Sequence, residues 1–391
     1  MLIDLLLGAA ALLLLIPVLV IAVQVVFACL RPPHKVALAQ ALVKIAVLVP
    51  AHNEAEGISA TINSILPQLN AGDRLLVVAD NCSDRTAQSA LDCGAEVIER
   101  HDPQHRGKGY ALDCGIRFLA QEPPDVVLII DADCSVSENA LHPLALLSAL
   151  HKRPVQGLYL MYSAPGAGLK AKIAEFAWLV KNLVRPLGNA KLGLPCPLMG
   201  SGMAFPWELI SQANLANGNI VEDMKLGIDL CKAGKPPLFY ADALVTSHFP
   251  TTASALSAQR TRWEHGHLGM ILSEAPRLLW QACATRNTGL LGMALDLCVP
   301  PLALLVVMLS VFLILAGCAA WAGAASLPFL LAAGSLALLA LAISLAWWMW
   351  GRHIISLLSF LSIPVYVLSK IPCYFNFLFN RQKKWVRTER E

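Results

Sequence analysis

The chain opens on an apolar run over residues 5–30, broken only by the polar Gln24 and by Pro17. At 1.5 Å per residue, a helix of this length crosses about 30 Å of hydrocarbon. No Lys or Arg precedes the run, and it exceeds the apolar region of a signal peptide, so it reads as a retained anchor. Arg31, His34 and Lys35 follow it, which puts residue 31 onward on the cytosolic side. Near the other end, residues 299–320 and 327–350 predict a membrane hairpin. Its link, Trp321 to Ser326, carries no Lys or Arg, and Arg352 and His353 then bring the chain back to the cytosol. The stretch 354–380 is apolar enough to span, but Pro364, Lys370 and Pro372 interrupt it. A further crossing would also export the basic tail from Arg381 to Arg390, with Lys383, Lys384 and Arg387. A re-entrant or interfacial helix is expected there.

Between these ends the period changes. Ile45–Pro50, Leu75–Ala79, Val97–Glu99 and Val126–Ile130 are short runs of strand formers, while Ala55–Leu66, Ser83–Leu91 and Gly109–Leu119 have helical spacing. Strands alternating with helices predict an α/β fold with a mainly parallel sheet covered on both faces, and such sheets bind ligands at the carboxyl ends of their strands. Composition agrees with this division. Of 391 residues 56% are apolar and 15% charged, and the apolar excess sits at the two ends. The expected organisation is an N-terminal transmembrane helix (1–30), a cytosolic α/β domain (31–288), a membrane hairpin plus an interfacial or third membrane helix (289–380), and a basic tail (381–391). The net charge of +3 comes with no basic stripe interleaved with aromatics, which argues against a nucleic-acid partner. Eleven cysteines are scattered without a CxxC pair or a Cys/His cluster, so they read as reduced thiols rather than as a zinc site or disulfide framework.

The polar residues gather at the strand ends. The first strand runs into Pro50-Ala51-His52-Asn53-Glu54, the second into Asp80-Asn81-Cys82-Ser83-Asp84, and the fourth into Asp131-Ala132-Asp133. Turn and cap chemistry accounts for Ser83 and Asp84. It does not account for Asp131 and Asp133, whose carboxylates repel unless a cation joins them. Hard divalent ions, Mg²⁺ or Mn²⁺, take oxygen ligands from carboxylates and diphosphates together.

Together with Gly107-Lys108-Gly109, Glu222-Asp223 and Gln259-Arg260-Thr261-Arg262-Trp263, these strand ends resemble a family 2 glycosyltransferase of the GT-A fold over residues 44–270. The branch is the membrane-bound, QxxRW-containing one that includes polysaccharide synthases and ceramide glucosyltransferases. The resemblance implies a Rossmann-like GT-A domain using a UDP-sugar donor and a divalent cation. Pro50, His52, Glu54, Asp80, Lys108, Asp131 and Gln259 would bind the nucleotide-sugar, although Lys108 equally suits a solvated helix start. Asp133, with Asp131, would hold the metal. Asp223, beside Glu222, would be the base that deprotonates the acceptor; both also suit a helix start. Arg262 would face the leaving diphosphate, and Gly202 and Trp263 would line the acceptor site. His248, His265 and His267 read as surface or interface histidines, with His248 the one placed to serve as a third metal ligand. Relatives carry two acidic residues and glycine where this chain has Ala79-Asp80-Asn81-Cys82, which loosens the inference about the base.

The implied activity is inverting transfer of a hexosyl or N-acetylhexosaminyl group to a lipid-linked or glycan acceptor in envelope or exopolysaccharide synthesis, at a bacterial inner membrane. Single addition is expected, since few spans are available to line a polymer channel; the alternative is a processive polysaccharide synthase. A reading of another class is a transporter or scaffold with an inactive sugar-nucleotide domain, for which Asp296 is the one candidate intramembrane charge. Donor sugar, linkage and oligomeric state stay open at this level.

Overall fold

The computed structural model describes residues 2–30, 42–216, 218–219 and 221–379. The expectations for Arg31, His34 and Lys35, and for the tail from Arg381 to Arg390, lie outside the described residues. The chain forms two compact units, one built on a sheet (42–164 and 195–256) and one on helices (2–30, 165–194 and 257–379).

The sheet has eight strands: β1 Ile45–Ala51, β2 Arg74–Asp80, β3 Glu96–Arg100, β4 Val126–Ile129, β5 Ser135–Val136, β6 Val155–Tyr162, β7 Met203–Pro206 and β8 Leu238–His248, in the order β3-β2-β1-β4-β7-β6-β8-β5. The pairs β3–β2, β2–β1 and β1–β4 are parallel, as the alternating pattern predicts. Beyond β4 the sheet becomes mixed, with β4–β7, β6–β7 and β5–β8 antiparallel and β6–β8 parallel. The sequence pattern does not announce these last four strands. β5 is two residues long, and β6 meets β8 with a register shift at Gly157/Leu158, which breaks the period-2 signal. Pro50 is tolerated in central β1 because its pairing with β4 ends at Leu48↔Ile129.

One face of the sheet packs Leu48, Leu76, Val78, Ile129 and Phe205 against Leu112 and Ile116 of the helix Lys108–Leu119 and Leu226 of the helix Glu222–Lys232. Burying each such side chain contributes about 1.5–3 kcal/mol. The topology then decides which loops share an edge. The carboxyl ends of β1, β2 and β4 lie side by side. Antiparallel pairing of Ile129 with Met203 brings the chain just before β7 to the same edge, and pairing of Ser135 with Thr246 brings the end of β8 beside the start of β5.

In the helical unit, Leu2–Ala28, Leu302–Trp321 and Leu327–Gly351 are long and apolar enough to cross a membrane, by length and composition. Leu5, Leu13, Ile314 and Leu341 on these helices are each more than half exposed, a surface that suits lipid rather than water. At one end of this bundle Asp4 accepts the Ala325 N–H at 2.8 Å; near the other, Gln24 meets Asn189 and Asp296. The chain start and the hairpin link therefore share an end of the bundle. The stretch after 354 contains three short helices, Leu357–Leu361, Ile363–Leu368 and Ile371–Phe379, none long enough to span.

The sheet unit ends at 256 rather than at the expected 288. Residues 165–194 and 257–288 join the helical unit; in the first of these segments Phe176, Leu179, Val180 and Val184 cluster with Val18, Ile21 and Val25 of the first helix. The helix expected over Ala253–Ile271 runs on through Pro276 to Thr285.

Candidate functional site

Gly107-Lys108-Gly109 starts the helix Lys108–Leu119, and the second glycine is a packing requirement: a Cβ at Gly109 would lie 2.3 Å from the Leu215 carbonyl oxygen. The close approach aims Lys108 along the sheet edge, where its ammonium donates to the Gly200 carbonyl at 2.7 Å and pairs with Asp131. Asp131 is anchored by its own N–H, which donates to Ser201 Oγ at 3.1 Å. Asp133 accepts the Ser247 hydroxyl at 2.8 Å, a contact across 114 residues. Glu222 and Asp223 open the helix Glu222–Lys232, where acidic residues favour the dipole, and line a cleft with Leu112, Met203, Asn214, Leu215 and Leu226.

These groups converge on Gly200. Its φ of +94° suits glycine, and a Cβ there would stand 3.3 Å from Asp223 Oδ2, 3.6 Å from Lys108 Nζ and 3.8 Å from Asp131 Oδ2. The electrostatics follow. Burial pulls the Lys108 ammonium down, but Asp131, Glu222 and Asp223 outweigh it and hold the group at about 12. Burial in the apolar cleft, then the charge of Asp223, push Glu222 up to about 7.

Asp131, Asp133 and Cys134 offer ligand atoms within 4.8 Å of one another. Burial and the adjacent Asp131 charge push the Cys134 thiol up to about 12, and hard divalent cations take oxygen rather than sulfur ligands. The donor set is therefore two carboxylates, which fits a hard divalent cation. His248 is exposed, its ring 6.5 Å from that of Tyr162, and lies outside this ligand group.

The other sequence candidates divide. His52 Nδ1 is 2.6 Å from the Asp80 carbonyl oxygen, and the Glu54 N–H donates to Thr86 Oγ1 at 2.8 Å, so the β1 and β2 ends are stitched together. Asp80 is buried and its Oδ1 accepts Arg100 Nη1 at 2.6 Å. Gly202 is buried in the sheet, its N–H donating to the Ile129 carbonyl and a Cβ position only 3.0 Å from Val245; Gly200, two residues earlier, faces the acidic groups. Gln259, Arg262 and Trp263 lie in the helical unit. Gln259 is 2% exposed and its Oε1 has no hydrogen-bond partner among the described residues. Trp263 packs on Trp178, ring centroids 4.8 Å apart. His265 and His267 are packing groups rather than surface ones: His265 is 1% exposed, and burial followed by Lys181 and Arg185 pushes His267 down to about 3. Asp296 is engaged by Arg185 at 2.9 Å and by Gln24 at 2.6 Å, contacts that tie the helices of this unit together.

Sequence reasoning missed Ser247 and Arg100. Arg100 had a faint signal as a cation closing a strand; for Ser247 no local pattern exists, because only the sheet brings it to Asp133.

A Rossmann-like sheet with a carboxylate pair after β4, a second acidic pair across a glycine turn and a lysine between them is the arrangement of the GT-A glycosyltransferases. Comparison with known proteins bears this out. The profile of glycosyl transferase family group 2 matches residues 126–363, more than half of the chain, and that of glycosyl transferase family 2 matches residues 46–158. The chain belongs to glycosyl transferase family 2. It is similar to the probable glycosyltransferase YdaM of Bacillus subtilis, 28% identical over 250 residues covering 59% of this chain and 57% of YdaM. The chain thus spans just over half the length of that relative. It is 36% identical to an uncharacterized glycosyltransferase of Mycobacterium tuberculosis over 194 residues, 46% of this chain and 82% of the other. Among solved structures it resembles the mannosyltransferase PcManGT from Pyrobaculum calidifontis in complex with GDP-Man and Mn²⁺, with a TM-score of 0.56, 18% identity, and coverage of 96% of this chain and 100% of that one. At this identity the likeness establishes the fold.

Proposed function

We propose that the protein is an inverting, metal-dependent glycosyltransferase that moves a sugar from a UDP-sugar to a hydroxyl of a lipid-linked or glycan acceptor in envelope or exopolysaccharide assembly. The observation that carries this reading is the convergence of Asp131, Lys108 and Asp223 on Gly200. Asp131, which with Asp133 suits a divalent cation in this reading, and Asp223, which suits proton abstraction, both stand near that glycine.

In this reading the acceptor hydroxyl attacks the anomeric carbon as Asp223 takes its proton. The acceptor-oxygen-to-carbon bond forms, the carbon-to-phosphate-oxygen bond breaks, and the nucleoside diphosphate leaves with the electron pair. A sugar hydroxyl is a poor nucleophile near neutrality, so a positioned base contributes about 10²–10⁴-fold. One base opposite the leaving group inverts the anomeric configuration without an enzyme nucleophile. Asp131 and Asp133 would hold Mg²⁺ or Mn²⁺, whose charge would offset that of the diphosphate. Lys108 and Arg262 serve the same end from the protein. Pro50, His52, Glu54 and the Asp80–Arg100 pair would form the nucleotide side, and the family resemblance assigns Gln259 to the donor and Gly202 and Trp263 to the acceptor.

The three apolar helices support a bilayer location, in a bacterial inner membrane with the sheet unit cytosolic, where a lipid-borne acceptor meets the site at the membrane surface. Three spans are few for a polymer channel, which favours single addition. Purified protein with Mg²⁺ or Mn²⁺, screened against UDP- and GDP-sugars with and without lipid extract, should release nucleotide with one donor and form a discrete product. No release from any donor would sink the proposal, and a ladder of long products would replace single addition with processive synthesis.

A further inference from the structure

The helix turn that carries Gln259, Arg262 and Trp263 has a second face, and the helical unit shows what holds it. At roughly 100° per residue, Gln259, Arg262, Trp263 and Gly266 share one side of the helix Ala253–Thr285, and Arg260, Thr261, Glu264 and His265 share the opposite side. The C-terminal stretch engages each member of that second set. Arg260 Nη1 donates to Tyr366 Oη at 2.9 Å, and Thr261 Oγ1 lies 3.7 Å from Cys373 Sγ. Lys370 Nζ donates to Glu264 Oε1 at 2.7 Å. His265 Nε2 is 3.2 Å from the Cys373 carbonyl, and its ring is 5.3 Å from that of Phe377.

Tyr366 lies on the short helix Ile363–Leu368, Cys373 and Phe377 lie on the short helix Ile371–Phe379, and Lys370 lies in the turn between them, so two helices and their link present one set of contacts. The Lys370 and Glu264 side chains are only 13% and 17% exposed. Charges this sheltered persist when each has the other. The pair also accounts for a lysine in an otherwise apolar stretch.

We propose that residues 363–379 form a clasp that sets the rotation and height of the Gln259–Trp263 turn, with Glu264 and Lys370 as positioning residues for sugar transfer. The inference rests on the reading of Arg262 and Trp263 as groups that meet diphosphate and acceptor. A displacement of about 1 Å at such groups lowers the rate by up to roughly a hundredfold.

The test uses the full chain in lipid nanodiscs, with Glu264→Gln, Lys370→Met and the exchange E264K/K370E. Each single variant should speed backbone amide exchange over 257–266 and lower kcat roughly ten- to a hundredfold with donor KM unchanged, while the exchanged pair recovers both. Tyr366→Phe, which removes one hydroxyl, should move both readouts the same way by less, and guards against misfolding of the charge variants. Single variants with wild-type amide exchange, or with faster exchange and unaltered kcat, overturn the clasp, as does an exchanged pair no better than its parents. Wild-type protein that turns over no donor would instead defeat the transferase reading, and the amide-exchange arm would still decide whether the clasp holds the helix.

Discussion

The sheet unit and the helical unit treat charge in opposite ways. In the helical unit two sheltered charge pairs are matched: Arg185 meets Asp296 with Gln24 and Asn189 filling the remaining positions, and Lys370 meets Glu264. At the sheet edge three carboxylates, Asp131, Glu222 and Asp223, surround one lysine, and burial followed by the Asp223 charge pushes Glu222 up to about 7. An apolar unit tolerates ions only when they are neutralised, so its charges are architecture. A crevice left with surplus negative charge is suited to a cation and a proton, so its charges are chemistry.

That contrast can be broken in order of expected effect. Asp223→Asn should lower transfer by about 10²–10⁴-fold and leave donor binding intact, as measured by single-turnover kinetics and nucleotide titration. Persisting turnover would remove Asp223 as the base. Arg185→Met should do the reverse, costing about 3–5 kcal/mol of stability by stranding Asp296, whereas the double change R185M/D296L should recover most of it in thermal unfolding. A double variant as unstable as the single would mean that the pair holds the unit by more than charge matching.

A smaller effect is expected from pH. Glu222 holds its proton up to about 7, and its ionisation puts a second negative charge beside Asp223 that strengthens this base; kcat/KM should therefore rise with pH through an apparent value near 7. Glu222→Gln removes the like charge beside Asp223 and should move that limb to lower pH; a limb that stays in place would uncouple the two carboxyls. Smallest of all, Cys134→Ala should leave the Mg²⁺ or Mn²⁺ dependence of transfer unaltered, because hard divalent ions take oxygen rather than sulfur ligands. A changed metal preference would put the sulfur in the coordination shell.

Much of this was legible in the chain. The parallel half of the sheet could be read because β1, β2 and β4 are continuous apolar runs ended by polar residues, and Asp131 and Asp133 could be read because adjacent carboxylates after such a run need an external reason. The mixed half was hidden: β5 is too short to signal itself, and the shift at Gly157/Leu158 breaks the pattern where β6 meets β8. Lys370 was visible only as an interruption of an apolar stretch, since its partner lies 106 residues away.

The amino-acid order by itself determined where apolar runs long enough for a bilayer fall, which strands are buried on both faces, and which residue types end them. These are local properties, set by period, length and side-chain chemistry. Tertiary structure alone decided that Gly200 stands among Asp131, Lys108 and Asp223, that Ser247 holds Asp133, and that the chain after 363 grips the helix of Arg262. Those outcomes depend on strand order and helix rotation, which come from packing between segments far apart in the chain.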